Sequence, residues 1–241
     1  MAIEHALLPY FRIYSGEGDP CEENNLVEFR LLYEGELLTA SRDHSRAPEK
    51  HAIRRSFHPQ LRRLWNVNSS LRQLASQQGH VEIRQGVSPN SPDYVITTPQ
   101  ERFGRGLTVI GEKWRRGDYQ LVPLVTSEMV LRCSLDILLL RPEEERFIFK
   151  SGDIDGQVKT LFDALRIPAN LNEAGSIGPQ EDETPFFCLL EDDKLISEVR
   201  VNADQLLLLP HDREVKANTC FVVIHVKLNH NHPGTFDNYF G

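Results

Sequence analysis

The stretch Ser151-Gly152-Asp153-Ile154-Asp155-Gly156-Gln157-Val158-Lys159-Thr160-Leu161-Phe162-Asp163-Ala164-Leu165 governs how the rest of the chain is read. Val158, Leu161, Phe162 and Leu165 recur at spacings of three, one and three, one apolar stripe on a helix. The spacing predicts a helix over residues 155–165, stopped by Pro168. Asp153 and Asp155 stand at its mouth, where unpaired N–H groups favour negative charge. Asp155, Lys159 and Asp163 follow at steps of four and so fall near one face.

Upstream, residues 119–125 and 130–140 read as strands. The second is a long apolar run, as expected of a strand inside a sheet. Arg141-Pro142-Glu143-Glu144-Glu145 reads as a turn, and residues 147–149 as a short extension. Downstream, residues 169–185 form a long polar loop, 186–190 a short apolar segment, and 195–201 and 219–228 two further strands. Nearer the start, Val27, Phe29 and Leu31 alternate with Glu28 and Arg30, a strand over residues 26–32. Pro48 suits the first position of a helix. Ile53, Phe57, Leu61, Leu64 and Trp65 then recur at helical spacing. Pro59 is expected to kink that helix or begin a second one, and residues 70–78 add a helical piece. Residues 81–94 are mixed, with a turn at Ser88-Pro89-Asn90-Ser91-Pro92, and residues 101–118, rich in glycine and bases, read as a loop or hairpin.

No internal repeat and no composition break divides the chain, so 1–241 reads as one α+β domain, a mixed β-sheet packed by helices. Residues 1–25 are an N-terminal extension, 26–125 a strand, basic helix and hairpin region, 126–228 the core that carries the acids, and 229–241 a tail. Hydrophobic residues make up 40% and charged residues 26%, enough for a packed core. No apolar run approaches the ~18 residues that span a bilayer. No basic stretch precedes an apolar one near Met1, so no signal peptide is expected. Cys21, Cys133, Cys188 and Cys220 lie far apart without a CxxC pair, which argues against zinc and for reduced thiols in the cytoplasm.

The net charge of −8 argues against a chain coated in nucleic acid, yet the charge is uneven. Residues 42–72 hold eight bases against two acids, and residues 173–198 hold eight acids against Lys194 alone. This pattern suits a phosphate-facing surface opposite a metal-binding one, but taken alone it reads as two solvated faces. The second acid pair, Asp192-Asp193, follows the apolar segment 186–190. Acids from two segments are what Mg²⁺ requires, because it takes oxygen ligands and keeps several waters. Taken singly, each feature has an ordinary reading: a helix cap, a surface ion pair, a turn.

Together these features resemble the RusA-type Holliday junction resolvases of bacteria and phages. In order they are the apolar strand ending at Arg141-Pro142, Gly152-Asp153-Ile154-Asp155 with Lys159 four residues on, Asp163-Ala164-Leu165, and the apolar approach to Asp192-Asp193. The resemblance covers about 100 residues and implies a RusA-like core with a Mg²⁺-dependent endonuclease activity, Mn²⁺ being the alternative ion. It further implies a homodimer acting on branched or structured DNA, with no membrane and no organic cofactor. It assigns Asp153, Asp155 and Asp193 as metal ligands with Asp192 as a neighbour, Lys159 as a phosphate-contacting or catalytic lysine, and Asp163 as a motif match that braces the helix. Asp153, Asp155, Lys159 and Asp193 would then form the catalytic set. Gly156 stands where the family motif has asparagine, and Phe149-Lys150-Ser151-Gly152 stands where relatives are often arginine-rich. DNA contact therefore falls to Arg54, Arg55, Arg62 and Arg63 of the basic helix, to Arg115 and Arg116, and to Lys150. The alternative is a protein that keeps the fold and binds nucleic acid or a partner protein without cutting.

Other candidates point elsewhere. His225, His230 and His232 read as surface residues at a strand end and in a polar tail. Arg102, Arg105 and Lys113 suit a phosphate grip or a solvated hairpin. Trp114 could stack on bases, whereas Trp65 fits the apolar stripe of its helix.

Overall fold

The computed structural model describes residues 27–39, 46–79, 98–142, 154–174, 178–207 and 219–230. Within them the chain is α+β. Alternating Phe29 and Leu31 place strand β1 at Glu28–Glu36, as the sequence leads one to expect. Helix α1 spans Ala47–Val67, with proline in its first turn and Ile53, Phe57, Leu61, Leu64 and Trp65 buried. Pro59 neither ends α1 nor begins a second helix, in contrast to the expectation. Its ring lies on the exposed side, so only one ladder bond is missing, and the apolar stripe on either side packs as a unit. The break comes at Asn68. Its extended backbone closes α1, and its side-chain oxygen accepts the Leu71 N–H at 3.0 Å to open α2, Ser69–Gln78.

The region expected to be a hairpin is helix α3, Pro99–Lys113. Thr98 and Glu101 form a reciprocal capping box, proline follows the cap, and Phe103, Leu107 and Ile110 bury one stripe. The glycines that suggest a loop serve packing instead. A methyl group on Gly106 would sit 1.7 Å from the Ala75 carbonyl oxygen, so α2 and α3 approach at backbone contact there.

Strands β2 (Leu121–Val125) and β3 (Leu131–Pro142) follow, with β3 running through Arg141-Pro142 rather than turning there. Helix α4 covers Ile154–Leu165, and a 3₁₀ turn at Leu171–Ala174 occupies part of the polar loop. Then come β4 (Phe186–Leu190), a 3₁₀ turn at Asp193–Leu195, β5 (Ile196–Leu206) and β6 (Thr219–His230). The main sheet has the order β1-β6-β3-β5, with β3 interior as its apolar run predicts. β6 is antiparallel to both neighbours, and β5 is parallel to β3. β2 and β4 form a second, parallel pair. One apolar core draws on all four helices and both sheets. Asp153, Lys150, His232 and residues 81–94 and 147–149 lie outside the described residues. No helix among the described residues is long and apolar enough to cross a membrane.

Candidate metal and phosphate site

Helix α4 presents a mixed face. Leu161, Ala164 and Leu165 turn into the core with Gln157 and Thr160, while Asp155 and Lys159 remain exposed. Steps of four advance ~40° around a helix, so residues 155, 159 and 163 drift round the axis. By Asp163 the drift has turned the side chain against α1. There the Lys50 ammonium donates to its Oδ2 at 2.6 Å and Arg166 lies 3.4 Å from its Oδ1. Asp163 therefore braces the helix.

The start of α4 is pinned by Gln157. Its amide N–H donates to the Leu37 carbonyl at 2.9 Å, and its oxygen accepts from the Arg141 guanidinium. The helix thereby joins the end of β1 to the end of β3. Its other end is closed by Arg54 of α1, which donates to the carbonyls of Asp163 (2.7 Å), Arg166 (3.0 Å) and Glu173 (3.3 Å). No basic residue occupies the last turn of α4, so this guanidinium supplies the positive charge a helix C-terminus favours.

The second acid pair belongs to the 3₁₀ turn Asp193–Leu195, which packs against α4 from the side of its C-terminal end, where the Ile167 N–H donates to the Leu190 carbonyl at 2.8 Å. Asp192 is extended. Its carboxylate accepts the Lys194 backbone N–H at 3.0 Å and the Lys194 ammonium at 3.2 Å. The first of these bonds holds its carboxyl below the usual aspartate value. Asp193 opens the turn with its side chain exposed. Glu191 is taken up by Ser127, whose N–H and hydroxyl donate to it at 2.7 and 2.8 Å. Asp155 and Asp193 are exposed hard oxygen donors of the kind Mg²⁺ takes, but they stand toward opposite ends of α4: Asp155 lies beside the Gln157–Arg141 contact, Asp193 beside the start of β5, which pairs with Cys133. Among the described residues no three His, Cys, Asp or Glu side chains cluster as a metal centre.

The basic residues divide. Arg54 is 2% exposed and spent on α4, so it is not available to a phosphate. Arg55 pairs with the buried Glu183 at 2.7 Å. Arg62 and Arg63 lie exposed on α1. Arg115 forms a two-pronged pair with Glu112, at 2.8 and 2.5 Å, and Arg116 donates to the Arg115 carbonyl. Arg102, Arg105 and Lys113 belong to α3, where Lys113 pairs with Glu128. Trp65 is fully buried, as its place in the stripe predicts.

Two histidines that the sequence reading passed over organise the core beside this site. The Phe187 N–H donates to His58 Nδ1 at 2.9 Å, so His58 Nε2 carries the proton it gives to the Asp182 carbonyl. His51 Nδ1 accepts from Arg54, and its Nε2 lies 3.2 Å from the Tyr119 hydroxyl. Phe186 stacks between the two rings. Burial, aided by Arg54 and Arg55, lowers His51 to about 4. Their spacing of seven on one helix face was the available signal. Burial also pushes the thiols of Cys133, Cys188 and Cys220 up to about 12, which leaves them poor nucleophiles and poor ligands. No family model, no curated protein and no solved structure matches the chain.

Proposed function

We propose that this chain is a metal-dependent endonuclease with a RusA-like core, hydrolysing phosphodiesters in branched or structured DNA, as a homodimer in the cytoplasm. What supports this reading is the order in which Gly152-Asp153-Ile154-Asp155, Lys159, Asp163-Ala164-Leu165 and Asp192-Asp193 follow one another along the chain, with Asp155 and Lys159 both exposed on α4. Asp155, with Asp153, would hold the ion, and Asp192 would orient the Asp193 turn through its bonds to Lys194. A bound Mg²⁺, or Mn²⁺ in its place, supplies a more acidic water and a charge against the phosphate. Lys159 lies one turn beyond Asp155 on the same exposed face, suited to neutralising charge on a scissile phosphate. Arg63, and Arg62 on release of its 3.4 Å bond to the Asp182 carbonyl, are the exposed arginines of α1 that would follow a DNA backbone, so binding should weaken with salt.

The test is cleavage of a four-way junction with Mg²⁺, comparing wild type with Asp155→Asn, Asp193→Asn and Lys159→Ala. Loss of a charged group aimed at the transition state costs ~10²–10³ in rate. Equal activity in all proteins, or none in wild type, overturns the reading. A second reading, a non-cutting protein of the same fold that binds nucleic acid or a partner, draws on Gly156 and on the inward commitment of Arg54 and Arg55. Junction binding by wild type without cleavage in either metal would favour it.

A further inference from the structure

The two edges of the main sheet are closed unequally. β1 is blocked at its middle, where the Gln60 amide accepts the Leu32 N–H at 2.9 Å and donates to the Leu32 carbonyl at 2.7 Å. β2 and β4, the other strand pair, are buried at every residue. β5 has neither protection. It is the outer strand beside β3 and runs for 11 residues, Ile196–Leu206. An edge strand leaves a row of N–H and C=O groups that another chain can pair with, so native edges are kept short, charged or covered. Among the described residues one side chain bonds to the β5 main chain, the Asp204 carboxylate, which accepts the Gln205 N–H at 2.8 Å.

The apolar cover of the sheet also stops short of β5. Leu135, Ile137 and Leu139 of β3 are each at most 2% exposed. Their partners across the ladder are Val199, Val201 and Ala203, which therefore lie on the same side of the sheet. Val199 is nonetheless 42% exposed, Ala203 is exposed and Val201 is half-buried. On the other side of β5, Glu198, Arg200, Asn202 and Asp204 are all exposed. Arg200 has only loose partners in its own chain, Asp136 and Glu198 at 3.9 Å, and can turn toward a new neighbour.

We propose that the free edge of β5 binds an extended segment of a partner protein, which joins the sheet as a further strand antiparallel to β5. The main-chain groups select this occupant. A helix satisfies its own N–H and C=O groups and cannot pair those of an edge, whereas an extended segment pairs them one by one. The side chains select its pattern. Apolar residues opposite Val199, Val201 and Ala203 continue the apolar side of the sheet and cover what β3 and the helices leave open. On the other side, an acidic residue meets Arg200, and basic residues meet Glu198 and Asp204. The inference goes beyond the nuclease reading and does not rest on it.

Fluorescence anisotropy of a labelled peptide, titrated with the full chain, tests it. The peptide, of about nine residues, alternates valine with lysine, threonine, glutamate and lysine in that order from its N-terminus, which sets the glutamate opposite Arg200 in an antiparallel pairing. A Kd of ~100 µM or tighter is expected. Proline at two neighbouring central positions of the peptide should abolish binding, because one of the two must lose a ladder N–H. Arg200→Glu should weaken binding by at least ~5-fold, and lysine in place of the peptide's glutamate should restore it on that variant. Val199→Asp should weaken it by ~10-fold, since a carboxylate would enter the apolar side. Circular dichroism and thermal melting confirm that both variants fold. Amide exchange followed by NMR should find outward β5 N–H groups exchanging in the free chain and protected in the complex. No binding at about 1 mM overturns the proposal, as does binding indifferent to the prolines or to the charge exchange. So does a free chain in which every β5 N–H is already protected, which would mean that a segment of this chain or a second copy holds the edge.

Discussion

Replacing Arg54 with alanine should unfold the protein more readily without acting through any ligand. The guanidinium is buried, and its two shortest bonds go to the carbonyls of Asp163 and Arg166 at 2.7 and 3.0 Å. Those carbonyls close the C-terminus of α4 at residues only partly open to solvent. A buried acceptor left unpaired costs ~1–3 kcal/mol, and a bond from a charged donor contributes ~1.5–3 kcal/mol. Two such bonds sum to ~3–6 kcal/mol, partly offset because the variant no longer buries a charge. A net loss of ~3 kcal/mol is expected, a large share of the ~5–15 kcal/mol typical of a domain. In urea, with a slope of ~2–3 kcal/mol per molar, the midpoint should fall by ~1 M. Fluorescence of the buried Trp65 reports the transition. Arg62→Ala and Arg63→Ala, both exposed, should move it by less than ~0.5 kcal/mol. An Arg54→Ala midpoint within ~0.2 M of wild type would refute the account of Arg54 as the cap of α4.

Two glycines of α3 should respond with opposite sign. Gly104→Ala enters open space and should stabilise by up to ~1 kcal/mol through helix propensity, whereas Gly106→Ala meets the Ala75 carbonyl and should destabilise by at least ~2 kcal/mol, both read from urea midpoints. Asp163→Asn should lower stability by ~1–3 kcal/mol through the lost Lys50 bond while leaving any metal-dependent cleavage per folded molecule near wild type. His51 titrates near 4 in the fold against 6.5 unfolded, so its neutral form is the one the fold favours. Its contribution is therefore complete above pH ~6.5 and is lost as pH falls toward 4, by up to ~3 kcal/mol. The difference in urea stability between wild type and His51→Gln should shrink over that window, and a difference independent of pH would contradict the assignment.

Elements whose pattern rests on local periodicity were legible in the chain. The alternation in β1, the long apolar run of β3 and the stripes of α1 and α4 each follow from burying one face of a strand or helix. α3 was not, because its three glycines resemble loop chemistry until α2 is seen to need backbone contact at Gly106. The Thr98-Glu101 capping box was the local sign that outweighs them.

At the candidate site, the sequence alone determined which residues carry charge: Asp153, Asp155, Lys159 and Asp193, and the arginines of α1. Only the tertiary structure decided which of those charges is spent internally. Helical rotation carries Asp163 onto Lys50, and the end of α4 claims Arg54 for its unpaired carbonyls. Glu183 claims Arg55, while Asp155, Lys159, Arg62 and Arg63 stay exposed. A charge has the same identity in a list of letters whether it faces water or a carbonyl. The partner it meets is fixed by how distant segments pack, because an interior that excludes water must satisfy every polar group it buries.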